Sequence, residues 1–250
     1  RIFNVAIRTI QLHQGKAIYG VGGGITWDST WESEYREVHQ KAAVLYRKQA
    51  RFQLITTGKI SQKQLLFEEQ HIERLRKASR YFAYPFDAED LKQKIEAEYL
   101  TCDTNQDYRL RISLSKSGEI ELSRQTLTPL SPSFCQVQLC LREADLQQAF
   151  IYFKTTHRPH LSIGEQEIIY HNKSGELLET SIGNLVLKIS GKLYTPPIRL
   201  GILPGIYRQL LLETGQVEER VLTLKDLARA EAIYGCNAVR GLYELSVREN

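Results

Sequence analysis

The stretch FIYFKTTHRP, residues 150–159, places a lysine, Lys154, directly after a run of apolar and aromatic residues. We predict that this run is a strand and that Lys154 lies at its end. An amine at that position is partly removed from water and close to other cations, such as Arg158, which lowers its pKa and makes it a nucleophile toward a carbonyl group. Taken alone, the pattern is more typical of a lysine whose charged end reaches solvent.

Two glutamates follow in GELLETSIGNL, residues 175–185, where Glu176 and Glu179 precede a predicted strand. A carboxylate can hold a proton on the ring nitrogen of a bound cofactor, and Glu179 is our candidate for that role. The alternative is that both glutamates are surface charges of a hairpin and that Asn184 is a turn residue. The segment alone favours this alternative.

A helix start in GILPGIYRQLL, residues 201–211, is a candidate phosphate site. The turn before this helix presents unpaired backbone N–H groups and the positive end of the helix dipole, and both attract anions. The candidate donors are the backbone amides of Gly205, Ile206 and Tyr207. Alone, the segment indicates no more than a capped helix.

Arginines form a further group of candidates. In HIERL, residues 71–75, Arg74 can pair with phosphate oxygens through its guanidinium group, although a solvated charge on a helix is the simpler interpretation. Carboxylates of a substrate also need cations, and Arg109, Arg111 and Arg158 are candidates by position only. Each of these three is more typical of a surface or structural charge.

In their order along the chain, these segments resemble the class IV aminotransferases, which are fold-type IV pyridoxal-phosphate (PLP) enzymes. The resemblance covers nearly all of residues 50–250, and the ordered set is far more specific than any one segment. The segments that carry it are HIERL at 71–75, Lys154, ETSIGN at 179–184, TPP at 195–197, GILPGIYR at 201–208 and YGCNAVRGLYEL at 234–245.

The resemblance implies a role for each candidate. Lys154 is expected to carry PLP and to transfer protons, Glu179 to contact the pyridine nitrogen, and Arg74 to hold the phosphate with the turn that starts at Gly205. Tyr207 stands where many relatives have Thr, which puts a hydroxyl contact to the phosphate in doubt. The expected cofactor-binding residues are Arg74, Lys154, Glu179, Gly205, Ile206, Tyr207, Asn237 and Ala238.

The predicted elements give a two-lobed α+β fold, with a small α/β lobe at 50–130 and a larger, strand-rich, barrel-like lobe at 134–250. Helices are predicted within 67–84 and from Asp87, a plausible cap, to Leu100. The predicted hairpins lie in 107–125, 165–179 and 184–197, and short helices follow Pro204 and occupy 224–232.

Residues 1–45 have a different character. They are predicted to form a hairpin that turns at Gln14 and Gly15, a triple-glycine turn, and a helix from about Ser33. The segments AIRT, YGVGGGITWDST and ESEYREV resemble the carboxyl-terminal end of chorismate-binding enzymes of the anthranilate synthase and aminodeoxychorismate synthase type. We therefore interpret this region as the remnant of such a domain, most of which is absent, so that no synthase site is expected here.

The second resemblance also implies roles for residues. Arg8 and the glycines at 22–24 are expected to help hold chorismate carboxylates. Glu34 and Glu37, one helical turn apart, are positioned like magnesium ligands, but only in an intact synthase domain. We expect no metal in the PLP lobes.

A synthase tail in front of a class IV domain favours one reaction, because the synthase product is the substrate of one class IV enzyme. The expected activity is PLP-dependent cleavage of 4-amino-4-deoxychorismate into 4-aminobenzoate and pyruvate, in folate biosynthesis, as part of a bifunctional synthase/lyase. Two alternatives stay open. One is an aminotransferase for D- or branched-chain amino acids on the same fold, and the other is a non-catalytic domain that stabilises the synthase.

Composition limits the partners and the compartment. The net charge of +4 comes from spread cations, so we expect no nucleic-acid partner. No apolar run approaches the roughly 20 residues of a membrane span, and the four cysteines lack metal or disulfide spacing, which favours reduced thiols and a cytoplasmic location. The expected partners are a second copy in a homodimer, the synthase domain of the same polypeptide, and a glutamine amidotransferase subunit.

Overall fold

The computed structural model describes residues 9–46, 50–142, 148–162 and 164–247. The chain divides into two compact units, residues 1–50 and 51–250, which are described separately. Within the described ranges, no helix combines the length and the apolar character that crossing a bilayer requires.

The first unit contains a hairpin and one helix. Strands β1 (Thr9–His13) and β2 (Lys16–Gly20) pair antiparallel, and α1 spans Trp31–Tyr46. Gln14 and Gly15 both have positive φ, as the two central residues of a type I′ hairpin turn require. The predicted hairpin is therefore confirmed, and the helix begins two residues before the predicted Ser33. Arg8 lies outside the described residues.

The second unit begins with a small lobe made of a four-stranded antiparallel sheet and two helices. The sheet has the order β4-β3-β5-β6. Its elements are β3 (Leu54–Ser61), β4 (Gln64–Leu65), α2 (Glu68–Phe82), α3 (Ala88–Leu100), β5 (Tyr108–Leu114) and β6 (Ile120–Thr126). The predicted helices at 67–84 and 87–100 are confirmed.

The helix ends follow from local sequence. The Asp87 side chain accepts hydrogen bonds from the N–H groups of Glu89 and Asp90, which caps α3 as predicted. Helix α2 ends where Ala83 takes the left-handed conformation, two residues before Pro85. On α2, Ile72 and Leu75 are fully buried and face the sheet.

Strand β5 shows how the sheet divides its side chains between two faces. Leu110 and Ile112 pack in the core formed with α2 and α3. Because successive side chains of a strand point to opposite faces, Arg109 and Arg111 project from the other face. The sheet therefore presents two arginines on the side away from its helices.

The large lobe is a closed barrel with extensions. Strands β7, β8, β9, β10, β13 and β14 form a six-membered ring, because β9 also pairs with β10. The β14–β7 and β7–β8 pairs are parallel and the others antiparallel. The elements are β7 (Gln136–Leu141), α4 (Gln148–Tyr152), β8 (Ile168–His171), β9 (Leu177–Thr180), β10 (Asn184–Ile189), β11 (Lys192–Thr195), a 3-10 turn (Ile198–Leu200), α5 (Ile206–Glu213), β12 (Glu218–Glu219), α6 (Leu224–Ala228), β13 (Ala232–Asn237) and β14 (Gly241–Val247).

The barrel interior is apolar, with Ile169, Leu177, Leu185 and Leu187 fully buried in one cluster. The predicted hairpins at 165–179 and 184–197 are present as β8–β9 and β10–β11. Both lobes of the predicted α+β fold, including the barrel-like lobe, are confirmed.

The prediction that Lys154 ends a strand was wrong. The residues before it form α4, one short helix, and Phe150 and Phe153 both contact Phe82 of α2 at ring-centroid distances of 5.8 and 5.4 Å. A short apolar run cannot be assigned to strand or helix from its periodicity alone, and here the spacing of three fits one helix face.

Candidate active site

A cavity of about 540 Å³ lies in the second unit, bounded by β3, β5, the ends of β9, β10 and β13, and the start of α5. Its volume is in the range of small-molecule sites, roughly 300–1,000 Å³. The predicted site residues that line it are Arg74, Arg109, Arg111, Lys154, Arg158, Glu179, Gly205, Ile206, Asn237 and Ala238.

Lys154 is fixed to the edge of β3 by main-chain hydrogen bonds. The N–H of Ile55 donates to the Lys154 carbonyl (2.9 Å), and the N–H of Thr156 donates to the Gln53 carbonyl (2.9 Å). The Thr156 hydroxyl also accepts from the N–H of Gln53 (2.9 Å). The backbone on both sides of Lys154 is thus held while its side chain faces the cavity.

Burial lowers the pKa of Lys154 well below its ordinary value. The charges of Arg74 and Arg158, followed by those of Arg109 and Arg111, lower it further. A lower pKa favours the neutral amine, which is the form that attacks a carbonyl or accepts a proton.

Glu179 lies in β9 and is 1% exposed, so the surface-charge alternative does not hold for it. Its Oε1 is 3.0 Å from Nη1 of Arg142, and its Oε2 accepts a hydrogen bond from the N–H of Leu203 (3.0 Å). Burial raises the pKa of Glu179, while Arg158, the Leu203 N–H and Arg142 act in the opposite direction. A carboxylate is therefore held in place at one wall of the cavity.

The turn before α5 forms another wall. Gly205 precedes the first helical residue, Ile206, and no described residue accepts a hydrogen bond from the N–H groups of Ile206 and Tyr207. Nη2 of Arg74 donates to the Pro204 carbonyl (2.6 Å), which ties the guanidinium to this turn. Burial and the charge of Arg158 lower the pKa of Arg74 to about 10, so it stays cationic at neutral pH.

Gly205 is required by close packing. A Cβ atom at this position would lie 1.9 Å from Oδ1 of Asn184, whose Nδ2 donates to the Leu203 carbonyl (2.8 Å). Asn184 is itself 3% exposed and cannot move without breaking that bond. The turn and the start of β10 therefore fit together only with glycine at 205.

We expect Gly205→Ala to weaken anion binding at this turn, because the methyl group displaces Asn184 or the turn itself. Overpacking of about 1.4 kcal/mol corresponds to a roughly tenfold weaker Kd for PLP. The measurement is a spectroscopic PLP titration, with Gly164→Ala as the control, because a Cβ at 164 meets no atom of a described residue within 4 Å. Equal affinities in both variants would contradict the expectation.

Tyr207 was predicted to contact the cofactor through its backbone amide, with a hydroxyl contact in doubt, and its side chain does not line the cavity. Its ring packs near Phe67, at a centroid distance of 6.2 Å, and its atoms lie 3.4 Å from the Cβ position of Gly241. Only its backbone N–H belongs to the turn, so the side chain here serves packing.

The charge of the cavity wall is strongly one-sided. Among the residues that the structure describes, five arginines line it, Arg74, Arg109, Arg111, Arg158 and Arg240, and one acidic side chain, Glu179. None of these five is within ion-pair distance of a carboxylate among the described residues. The arginines that do form ion pairs are Arg76, Arg124, Arg142, Arg208, Arg220 and Arg229.

Two of the arginines at this site were missed by sequence reasoning. Arg240 lies inside the YGCNAVRGLYEL segment, lines the cavity and donates to the Thr128 carbonyl. Arg142 contacts Glu179, 37 residues away, and no sequence pattern links the two. Arg240 could have been predicted, because it lies in a segment that the sequence analysis had already quoted. No segment pattern pointed to Arg142.

The sequence analysis also did not predict the loop between β9 and β10 as part of the site, although this loop lies in the ETSIGN segment, residues 179–184. Ser181, Ile182 and Gly183 line the cavity. Buried Glu167 accepts from the Ser181 hydroxyl (2.8 Å) and the Ile182 N–H (3.0 Å), so a carboxylate behind the wall holds this loop. Burial raises the pKa of Glu167.

Asn237 shapes the turn between β13 and β14. Its Oδ1 accepts from the N–H groups of Val239 (3.0 Å) and Arg240 (2.9 Å). This arrangement fixes the backbone of Ala238, Val239 and Arg240, all of which line the cavity.

His71, the first residue of HIERL, lies behind the cavity rather than in it. Its Nδ1 and the Thr56 hydroxyl share a hydrogen bond of 2.6 Å that connects α2 to β3. Burial, and then the charges of Arg74 and Lys154, lower the pKa of His71 to about 3. It is therefore neutral at neutral pH.

In the first unit, Glu34 and Glu37 lie on one face of α1 and the glycine turn approaches them. A Cβ at Gly23 would be 3.1 Å from Oε2 of Glu34 and 3.4 Å from Oε1 of Glu37. Ser29 donates to Glu34 (2.6 Å), and Lys41 pairs with Glu37. Across the described ranges, no group of three or more His, Cys, Asp or Glu side chains is arranged to hold a metal ion.

The chain matches two known families. Residues 53–246 match the amino-transferase class IV family, and residues 2–47 match the chorismate binding enzyme family. The aminodeoxychorismate lyase of Saccharomyces cerevisiae is 24% identical over an alignment that covers 73% of this chain and 67% of that protein.

Two solved structures extend the comparison. A provisionally assigned amino-acid aminotransferase from Mesorhizobium loti superposes with a TM-score of 0.67 at 25% identity, over 79% of this chain and all of the other. A provisionally assigned 4-amino-4-deoxychorismate lyase from Haemophilus somnus gives a TM-score of 0.61 at 25% identity, over 78% of this chain and all of the other.

Proposed function

The chain belongs to the amino-transferase class IV family, and from that premise we propose that it cleaves 4-amino-4-deoxychorismate into 4-aminobenzoate and pyruvate, with PLP as cofactor. The observation that carries the proposal is the set of five cavity arginines without a carboxylate partner among the described residues. This charge suits a substrate with more than one carboxylate.

The donor set of the cavity fits PLP, the cofactor of this family. Arg74 and the free amides of Ile206 and Tyr207 suit a phosphate, Lys154 suits an aldehyde, and Glu179 suits a protonated ring nitrogen. Nε of Arg158 is buried and has no hydrogen-bond partner among the described residues, which further indicates that the cavity accommodates an acceptor.

The charges then favour a dianionic substrate. Once Arg74 is assigned to the phosphate, Arg109, Arg111, Arg158 and Arg240 remain for other anions. 4-Amino-4-deoxychorismate has two carboxylates, one on the ring and one on the enolpyruvyl group, whereas a branched-chain amino acid has a single one. A cavity built for an apolar amino-acid side chain would need fewer cations and more apolar lining.

The N-terminal match supports the same substrate. Residues 2–47 match chorismate-binding enzymes, and we propose that residues 1–45 are the carboxyl-terminal part of such a domain, with residues 50–130 and 134–250 as the two lobes of the lyase. Fusion to an enzyme that makes aminated chorismate would place substrate production and consumption in one polypeptide.

In the proposed mechanism PLP supplies an aldehyde that condenses with amines and a ring that accepts electrons. Arg109, Arg111 and Arg240 hold the substrate carboxylates, and Glu179 keeps the ring nitrogen protonated. The Lys154 amine removes the proton from the substrate carbon that bears nitrogen. The C–O bond to the enolpyruvyl group then breaks as the ring becomes aromatic, and the oxygen keeps the bonding electrons, so that the enolate of pyruvate leaves. Lys154 returns the proton to the methylene carbon of this enolate, which gives pyruvate.

The direct test supplies the purified protein with PLP and enzymatically generated aminodeoxychorismate. We expect equimolar 4-aminobenzoate and pyruvate, measured by fluorescence and by coupled NADH oxidation with lactate dehydrogenase. Without these products, transamination of leucine or D-alanine would identify the chain as an aminotransferase instead. Failure of the folded chain to bind PLP would favour the non-catalytic alternative.

We expect Arg111→Gln to raise KM for aminodeoxychorismate with little change in kcat, because it removes a charge that binds substrate and transition state alike. Loss of one charged hydrogen bond corresponds to a rise of about 10- to 100-fold. The control is Arg124→Gln on the neighbouring strand, because Arg124 pairs with Glu98 and does not line the cavity. A KM equal to that of the control would exclude Arg111 from substrate binding.

We also propose that the protein is a cytoplasmic homodimer and that its synthase domain binds a glutamine amidotransferase subunit. A homodimer is supported by the half-exposed Leu139 and Leu141 on β7 and Val247 on β14, which leave apolar surface on the barrel. Sedimentation velocity measures the oligomeric state.

Four free cysteines favour the reducing cytoplasm as the location, and cell fractionation tests this. Co-purification tests for a glutamine amidotransferase partner of the synthase domain.

A further inference from the structure

The segment 201–204 is held by four polar side chains that come from separate parts of the fold. Arg142 donates to the Gly201 carbonyl, and Glu179 accepts from the Leu203 N–H (3.0 Å). Asn184 donates to the Leu203 carbonyl (2.8 Å), and Arg74 donates to that of Pro204 (2.6 Å). This segment therefore connects the carboxylate wall of the cavity directly to the turn that starts α5.

Arg142 has a special place in this arrangement. It follows the last residue of β7, is 8% exposed, and does not line the cavity. One guanidinium nitrogen, Nη1, contacts Oε1 of Glu179 at 3.0 Å, while the other, Nη2, holds Gly201. Arg142 thus holds Oε1 of Glu179 and also holds Gly201, the first residue of segment 201–204. The same segment binds Oε2 of Glu179 through the N–H of Leu203.

We propose that Arg142 is a positioning residue that keeps the Glu179 carboxylate ionised and oriented toward the cavity, and that couples its position to the turn before α5. The proposal rests on the proposed function only in that it assigns Glu179 to the ring nitrogen of PLP. Arg142 itself touches neither cofactor nor substrate in this scheme.

The charges around Glu179 also favour a role for Arg142 in keeping its carboxylate ionised. Glu179 is almost fully buried, and an isolated buried carboxylate takes up a proton far more readily than one in water. Two arginines, Arg142 and Arg158, face it with opposite charge, and Tyr170 and His160 lie near those arginines. Without Arg142, Arg158 and the Leu203 N–H are the groups of the described chain left to oppose the effect of burial on the pKa of Glu179.

The experiment compares four variants, Arg142→Gln, Arg142→Lys, Glu179→Gln and the double variant R142Q/E179Q, each loaded with PLP. The first measurement is the visible absorption of the bound cofactor between about pH 5 and 9, which reports protonation at the ring without turnover. We expect R142Q to move the midpoint of the Glu179-dependent transition upward by about one pH unit or more, and R142K to restore part of the shift.

Kinetics supplies the second measurement. R142Q is expected to lower kcat about 10- to 100-fold while KM changes little, because the substrate carboxylates bind elsewhere. In the E179Q background, Arg142→Gln should have almost no further effect on kcat or on the pH midpoint, since the group it positions is gone. Additive effects in the double variant would overturn the proposal.

Arg208→Gln is the matched control, because Arg208 is 1% exposed and paired with Glu219 at 2.5 Å without lining the cavity. It should lower thermal stability without moving the midpoint. An unchanged midpoint in R142Q, or the same change in R208Q, would overturn the proposal. Failure of the unmodified protein to bind PLP is a different result, which would overturn the proposed function itself.

Discussion

Lys154→Ala is expected to lower kcat by at least about 10⁴-fold, because it removes the one lysine amine that the described part of the chain places on the cavity wall, and with it the proposed base and acid. The variant should also lose the absorbance shift that accompanies attachment of PLP to a lysine. Borohydride reduction of the unmodified protein, followed by mass spectrometry, should identify the modified peptide within residues 150–159.

The control for this prediction is Lys188→Ala on β10, where Lys188 lies 3.9 Å from Glu231 outside the cavity. It should keep both activity and the absorbance shift. If K154A retained the shift, another amine would carry PLP and the assignment of Lys154 would be wrong.

Glu179→Gln has the second-largest expected effect, a fall in kcat of about 10²- to 10³-fold, comparable with the loss of one preorganised charge at a reaction centre. The amide fills the same space but cannot keep the ring nitrogen protonated, so electrons released from the substrate are accepted less readily. It also leaves Arg142 buried without its partner, and the melting temperature should fall.

Glu176→Gln tests whether the position matters. Glu176 lies three residues earlier in the same hairpin and accepts from Nδ2 of Asn172 (2.6 Å), away from the cavity. Steady-state kinetics and PLP absorbance should be nearly unchanged in this variant. If E176Q and E179Q lost activity equally, general damage to the hairpin would explain the result, and Glu179 would have no special role.

Sequence reasoning succeeded where the signal is local. Hairpin turns, the Asp87 cap and the helix periodicity of 67–84 depend on residues a few positions apart, and the structure contains all of them. The ordered motifs also identified Arg74, Lys154, Glu179 and the turn at Gly205, which the structure brings to one cavity. For Tyr207 the sequence predicted a contact through the backbone N–H, which stays a prediction, and the side chain packs near Phe67.

The failures have physical reasons. The run before Lys154 is too short for its period to distinguish strand from helix, and its packing against Phe82 decided the outcome. Arg142 and Glu167 act through partners that only the closed barrel brings near. The burial of Glu179 follows from the β9–β10 pairing, which the hairpin pattern alone does not contain.

Strand β5 separates residues that stabilise the fold from residues that face the substrate, so the two sets can change independently. Leu110 and Ile112 serve the core on one face, and Arg109 and Arg111 reach the cavity from the other. Residues at 109 and 111 can therefore be exchanged with little effect on folding, which makes this strand a place where substrate range can diverge during evolution. A library varied only at these two positions is a practical starting point for new amine substrates.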